Sequence, residues 1–283
     1  MTKAATFTDI SEAKVFFPDN MLAKKVKIAH GAVIGKSVII GEGTIIGAYA
    51  TIADWTTIGK NCVIHSHTSI GSKPQNQESN DEKSYVIIGD NTQIREFVTV
   101  NSAIGSEQAT RIGSHCLLSA GSHIAHNCTI GNHVIISNAV HLADHAEVED
   151  WVTIGGLTII QRFVKIGRNA MIGATSKVVQ DIPPFILANG NPAQAFGLNN
   201  IGMNRMGIND NNRRILKHAY KIMYYSGDSL SQTLAIMKQQ LPVCEELEHL
   251  MVFLRNNKKG ICNKHKSKIR SKGIRNNLYY SID

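Results

Sequence analysis

Aliphatic residues recur along this chain at intervals of six. Leu22, Ile28, Ile34, Ile40, Ile46, Ile52, Ile58, Ile64 and Ile70 form one run, and Ile88, Ile94 and Val100 resume it after a gap. A third run leads from Ile112 through Leu118, Ile124, Ile130, Ile136, Leu142, Val148, Ile154, Ile160, Ile166 and Ile172 to Val178. The next residue is often small, as at Gly35, Gly41, Gly59, Gly131 and Gly167. A helix would repeat at 3.6 and reject so many glycines and β-branched residues, and an ordinary strand would alternate without a glycine every sixth position. Period six with small corner residues predicts a mainly β protein, a left-handed parallel β-helix over about residues 1–190. Polar stretches at about 72–87 and 101–111 interrupt the repeat and read as loops extruded at corners of the coil.

Pro183 and Pro184 end the pattern, because proline cannot donate to a β ladder. The period then turns helical over a region placed at 191–256. Ile215, Leu216, Ala219, Ile222 and Met223 share one face, and Ser226-Gly227 supplies a stop. Ser229 with Gln232 predicts a capping box for a second helix, and Leu247, Leu250, Met251 and Leu254 mark a third over 245–255. The basic, Asn-rich segment 257–283 reads as a disordered tail.

Composition changes this picture in three places. No apolar run approaches the roughly 18 residues of a membrane span, and the N-terminus lacks the apolar stretch and cleavage site of a secretory signal. Five scattered cysteines, Cys62, Cys116, Cys128, Cys244 and Cys262, suggest reduced thiols in a cytoplasmic protein, with no disulfide framework and no zinc site. The net charge of +8 suggests a nucleic-acid binder only until it is located. Lys258, Lys259, Lys264, Lys266, Lys268, Arg270, Lys272 and Arg275 carry eight positive charges in the tail, so the body is close to neutral and no nucleic-acid partner is expected.

The candidate chemistry lies where histidines break the repeat. Three hexads make one coil, so residues eighteen apart stack at about 4.8 Å. This places His123 beside His141, His126 beside Asp144, and Asn127 beside His145. A general base held by a hydrogen-bonding neighbour fits that edge, and so does a merely solvated wall; a metal site is disfavoured.

The stretch Gly121-Ser122-His123-Ile124-Ala125-His126-Asn127-Cys128-Thr129-Ile130-Gly131-Asn132 resembles the active-site segment of the acyl-[acyl-carrier-protein]–UDP-N-acetylglucosamine O-acyltransferases, which open lipid A synthesis. Gln180-Asp181-Ile182-Pro183-Pro184-Phe185, Gly190-Asn191-Pro192 and Phe196-Gly197-Leu198-Asn199 extend the resemblance over residues 10–255. It implies a homotrimer with sites between subunits, acting on a UDP-amino-sugar without a cofactor. The thioester of a 3-hydroxyacyl carrier protein is the co-substrate. It makes His126 the base, His123, His145, Gln161, Arg162, Asn199 and Arg205 substrate-binding residues, and the Asp144 backbone N–H the oxyanion donor. Ala174 falls where the family measures acyl length.

Several positions depart from the family's pattern. Asn127 replaces the Asp that usually follows the base, and Asp144 replaces a Gly. Because Asp144 stacks beside His126, it is expected to take over orientation of the base. Gln161-Arg162 replaces His-Gln, Pro192 a His, and Asn76 and Glu78 an Asp and a Lys, while Ile201 and Met206 replace charged residues. These changes leave open a 3-amino acceptor, which would give an amide, a different sugar nucleotide, or a non-catalytic scaffold. Lys165, Arg168 and Lys177 are candidates for guiding an acidic carrier protein, and the basic tail for contact with that protein or an anionic membrane surface.

Overall fold

The structure, a computed structural model, describes residues 14–15, 24–76 and 82–265. Strands two to five residues long build three sheets, with nine, seven and ten members among the described residues. Consecutive strands fall in different sheets, and each strand pairs in parallel with the one a full turn later. This is the expected parallel β-helix. The hexad residues are its interior: Ile34, Ile46, Ile64, Ile94, Leu118, Ile136, Ile154 and Ile172 are all fully buried in one continuous column.

Each coil turns at residues in left-handed backbone geometry, including Tyr49, His67, Phe97, Asn127, His145 and Phe163, with φ between 53 and 66° across the non-glycine members. Small residues matter where one coil lies on the next. A Cβ on Gly41 would fall 2.5 Å from the carbonyl carbon of Gly59, closer than any side chain tolerates. The left-handed corners also throw side chains outward, so the aromatic rings at successive corners stack. Tyr49, His67 and Phe97 form one column, and His115, His133 and Trp151 another.

The loops are shorter than the sequence suggests, because strands extend into them. Ser69–Ser72 and Tyr85–Ile88 flank the first loop, and Thr99–Asn101 and Ala109–Ile112 the second. Glu78 lies outside the described residues, as does Leu22. The two prolines do not end the pairing at once. Ile186–Asn189 still adds to the third sheet beside Met171–Ile172, and Gln194–Leu198 folds back antiparallel to cover that last edge.

Among the described residues four helices follow: α1 (Asn200–Arg205), α2 (Asp210–Tyr225), α3 (Leu230–Gln240) and α4 (Glu245–Arg255). The capping box of Ser229 and Gln232 is present at α3, and Asn209 caps α2. Helix α1 carries no periodic signature in the sequence; Asn199 starts it by accepting the Gly202 N–H. Phe185, Met203, Leu216, Ala219, Leu247, Leu250 and Leu254 give this region its own core.

The tail does not leave the molecule at residue 257. Residues 257–265 run back across the foot of the β-helix as a strap. Asp181 N–H donates to Gly260 O and Cys262 N–H to Asp181 O, both at 2.9 Å, and Cys262 is buried. The rest of the expected disordered tail, 266–283, lies outside the described residues.

Candidate active site

The outward face of the first sheet carries a row in strict register, His123, His141, Ile159 and Lys177. At the corner beyond it the chain bends outward at His126, Asp144 and Arg162, each eighteen residues after the last. His123, His141 and Ile159 of the row and the three corner residues, with Gln75, Asn76 and Asn101 from the edge of the two loops, line a cleft of about 650 Å³, and Lys177 lies one coil beyond it. Asn101 secures that upper end by donating to Ser72 Oγ and Lys73 O, each at 3.1 Å.

His126 is held by Asn127, not by Asp144 as expected. Its Nδ1 lies 2.8 Å from Asn127 Oδ1. The amide has no freedom to flip, because Oδ1 also accepts the Ile104 N–H at 2.9 Å while Nδ2 donates to Ile104 O at 3.1 Å. Oδ1 can only accept, so Nδ1 of the neutral imidazole carries the hydrogen and Nε2 keeps the lone pair. The second loop, through the Ile104 backbone, therefore fixes the tautomer of His126.

Asp144 points elsewhere because two better partners are nearer. Its Oδ2 lies 3.1 Å from His145 Nδ1 and 3.2 Å from the Arg162 guanidinium. Burial opposes its ionisation, but the hydrogen bond with His145 and the charge of Arg162 outweigh that, and the carboxyl sits below its usual range. His145 turns its edge to His126 at 5.5 Å and stacks on Phe163 at 4.6 Å. Nδ1 of His123 meets the Thr99 hydroxyl at 2.7 Å. Burial, with His141 close by, holds the His123 imidazole below its ordinary pKa, favouring the neutral ring.

The structure thus gathers His123, His126, Asp144 and Arg162 in one cleft, with His145 at its rim. Gln161 is exposed on the same turn as Arg162 but does not line the cleft. Asn199 and Arg205 are not brought to it within one chain: Asn199 caps α1 and donates to Asn169 O at 2.9 Å, and Arg205 is exposed at the end of that helix. Ala174 is exposed at the other corner of the first sheet, across its width from Arg162. Thr99, Ile104 and Phe163 were not singled out from the sequence. Thr99 precedes His123 by 24 residues, not eighteen, because the second loop lengthens that coil. No group of His, Cys, Asp or Glu suited to a metal ion occurs among the described residues.

A β-helix of hexads with a histidine-lined cleft on one edge defines a hexapeptide-repeat transferase. The bacterial transferase hexapeptide model matches residues 37–72 and 109–144, and the model "Udp N-acetylglucosamine O-acyltransferase; Domain 2" matches residues 181–262. The chain belongs to the acyl-[acyl-carrier-protein]–UDP-N-acetylglucosamine O-acyltransferase family. It is 41% identical over 194 residues to the family member of Thiobacillus denitrificans, spanning 68% of this chain and 74% of that one. The member from Nautilia profundicola is 43% identical over 192 residues, with the same shares covered. Among solved structures, LpxA from Acinetobacter baumannii superposes with a TM-score of 0.82 at 34% identity, over 89% of this chain and 96% of that one. The UDP-N-acetylglucosamine acyltransferase from Campylobacter jejuni gives 0.82 at 35% identity, over 90% and 98%.

Proposed function

We propose that His126 is the general base of this chain's reaction, the transfer of an acyl group from acyl carrier protein to UDP-N-acetylglucosamine in lipid A biosynthesis. The observation that carries this assignment is the bond from His126 Nδ1 to Asn127 Oδ1, which leaves Nε2 as the basic atom in the cleft. Nε2 takes the proton of the sugar 3-hydroxyl as its oxygen attacks the thioester carbonyl of a 3-hydroxyacyl carrier protein. The backbone N–H of Asp144, which has no acceptor among the described residues, donates to the tetrahedral oxyanion. Collapse breaks the C–S bond, His126 returns its proton to the departing thiolate, and the ester remains. No cofactor enters the cycle.

His123, neutral and set by Thr99, and His145, braced by Asp144, orient the substrates. Asn199 and Arg205 complete the site from a neighbouring subunit of a cytoplasmic homotrimer. A mostly apolar row on the outer face of the third sheet, Ile45, Val63, Leu117, Ile135, Met171 and Leu187 with Gln93 and Thr153 between them, supports self-association. Ala174 at the far corner is the position for reading acyl length.

The test is acyl transfer by purified protein, with UDP-N-acetylglucosamine or its 3-amino analogue and a series of 3-hydroxyacyl carrier proteins. His126→Ala is expected to lower kcat by roughly 10²–10⁴, the usual worth of a general base, with the helical and strand signals unchanged. Wild-type-like turnover in that variant would remove His126 from the role. Absence of turnover by the wild type with every pair would favour a non-catalytic solenoid.

A further inference from the structure

Below the catalytic column the cleft runs onto a cluster of cations that no step above uses. Arg162 is the third residue of the column His126, Asp144, Arg162, and its guanidinium lies over the Phe163 ring, 5.1 Å from the centroid. The strap brings Lys259 to the same ring, with Nζ 6.0 Å from its centroid. Lys177 pairs in register with Ile159, which lines the cleft, and is exposed.

The placement of Lys259 is built into the fold. Asn257 donates to Asp181 Oδ2 at 2.7 Å and accepts the Gly260 N–H at 2.8 Å, which closes a tight turn around Lys258 and Lys259. Asp181 itself is buried and also accepts the Lys165 N–H at 2.8 Å. Gly260 takes φ +73° at the end of this turn.

The charge at this rim is unbalanced. Among the described residues Asp144 is the one carboxylate bonded to it, engaging Arg162 through a single oxygen that also serves His145. Arg162 has five N–H donors and spends few of them there. Neither Lys177 nor Lys259 forms an ion pair among the described residues. Three cations against one shared carboxylate, beside an exposed aromatic plate, suit a phosphate oxyanion.

We propose that Arg162, Lys259 and Lys177 form a phosphate-binding rim at the foot of the cleft, receiving a phosphate group of a substrate. The proposal rests on the reading of the cleft as the acyl-transfer site, because both substrates of that reaction carry phosphate. The donor has a phosphodiester in its pantetheine arm, and the acceptor a diphosphate on its sugar. The rim thereby gives the C-terminal strap a part in substrate recognition.

The experiment compares the full chain with Lys259→Ala, Lys177→Ala and the rescue variant Lys259→Arg. Steady-state KM is measured for acyl-phosphopantetheine, for acyl-pantetheine lacking the phosphate, and for UDP-N-acetylglucosamine. The alanine variants are expected to raise one KM about fivefold, the scale of an interaction between exposed charges, and added salt should erase the difference. A rise confined to acyl-phosphopantetheine assigns the rim to the donor, and a rise for the sugar nucleotide with either donor assigns it to the acceptor. Lys259→Arg should restore the value. Unchanged KM values in both alanine variants, with the wild type turning over, overturn the rim and leave the acyl-transfer reading intact. If the wild type does not turn over, calorimetric binding of phosphopantetheine against pantetheine, and of UDP against uridine, still decides. Equal affinity with and without the phosphate overturns the proposal, and a preference for the phosphate that Lys259→Ala removes supports it.

Discussion

Asp144 Oδ2 lies 3.2 Å from the guanidinium of Arg162, and both stand in the column that begins at His126. Each supplies what the other lacks. A carboxylate alone at position 144 would sit half-buried beside His126, and an arginine alone at 162 would move freely. Together they leave His145 and Arg162 fixed around one oxygen, and they leave His126 to Asn127.

This coupling is measurable. Asp144→Asn and Arg162→Gln should each lower kcat/KM, and the double variant should lose less than the sum of the two. A coupling of about 0.5–1 kcal/mol is expected for a pair whose arginine is largely exposed. Strict additivity would show that the two act separately.

Asn127 should matter to both activity and stability. Asn127→Ala frees the His126 ring, leaves the Ile104 N–H and C=O without their partner, and puts a methyl-bearing residue at φ 59°. A stability loss of about 1–3 kcal/mol in urea unfolding is expected from the lost hydrogen bonds, with kcat falling more than KM changes. Asn127→Asp keeps the acceptor for His126 but has no N–H for Ile104 O, so it should recover activity better than stability. Equal loss of both in the two variants would contradict this division of labour.

His123 sets a direction for stability against pH. Burial lowers its pKa in the folded state, so near neutrality the ring is uncharged both folded and unfolded and carries no penalty. As pH falls through the ordinary imidazole range the unfolded chain gains a proton first, and stability is lost. Asp144, whose folded pKa is also lowered, contributes stability that is lost only in more acid solution. Thermal unfolding from about pH 7.5 to about 5.5, the span of imidazole titration, should therefore drop less in His123→Gln than in the wild type. A steeper drop in the variant would reverse the assignment.

The thiols should separate by accessibility. Cys116, Cys128 and Cys262 are buried, with burial pushing them to about 11, about 12 and about 11 respectively. Cys62 is buried and raised as well; burial also raises Cys244, but that thiol is only half-buried, at the edge of the helical region. Alkylation of the native protein at about pH 8 should modify Cys244 first, since reactivity follows the accessible thiolate. Rapid labelling of Cys128 would indicate that the catalytic coils open.

The sequence carries the coils of the β-helix, though not the two strands after Pro184, because each interior Ile is reported at its own sixth position, and the helical region because α2, α3 and α4 bury one face each. Helix α1 is invisible, being a single capped turn and a half with only Met203 buried. In the site, counting by eighteen finds His141 beside His123 but cannot find Thr99, since a loop intervenes. Counting also puts Asp144 beside His126, which is true of the backbone and misleading for the side chain. Which neighbour a carboxylate chooses depends on local reach, and Asn127 is tied down by Ile104, a residue 23 positions away that no periodicity connects to it.

The coil makes chain length digital. From Ala109 to Asp181 the turns run without a loop, so His126, Asp144 and Arg162 share one corner only because whole turns separate them. Loss of a single residue between them would rotate every later side chain off that corner, whereas loss of one complete turn would shorten the column and keep its alignment. Tolerated insertions are thereby confined to the two loop exits above the coils that line the cleft. The lower wall of the cleft, at Asp144 and Arg162, can change by substitution alone.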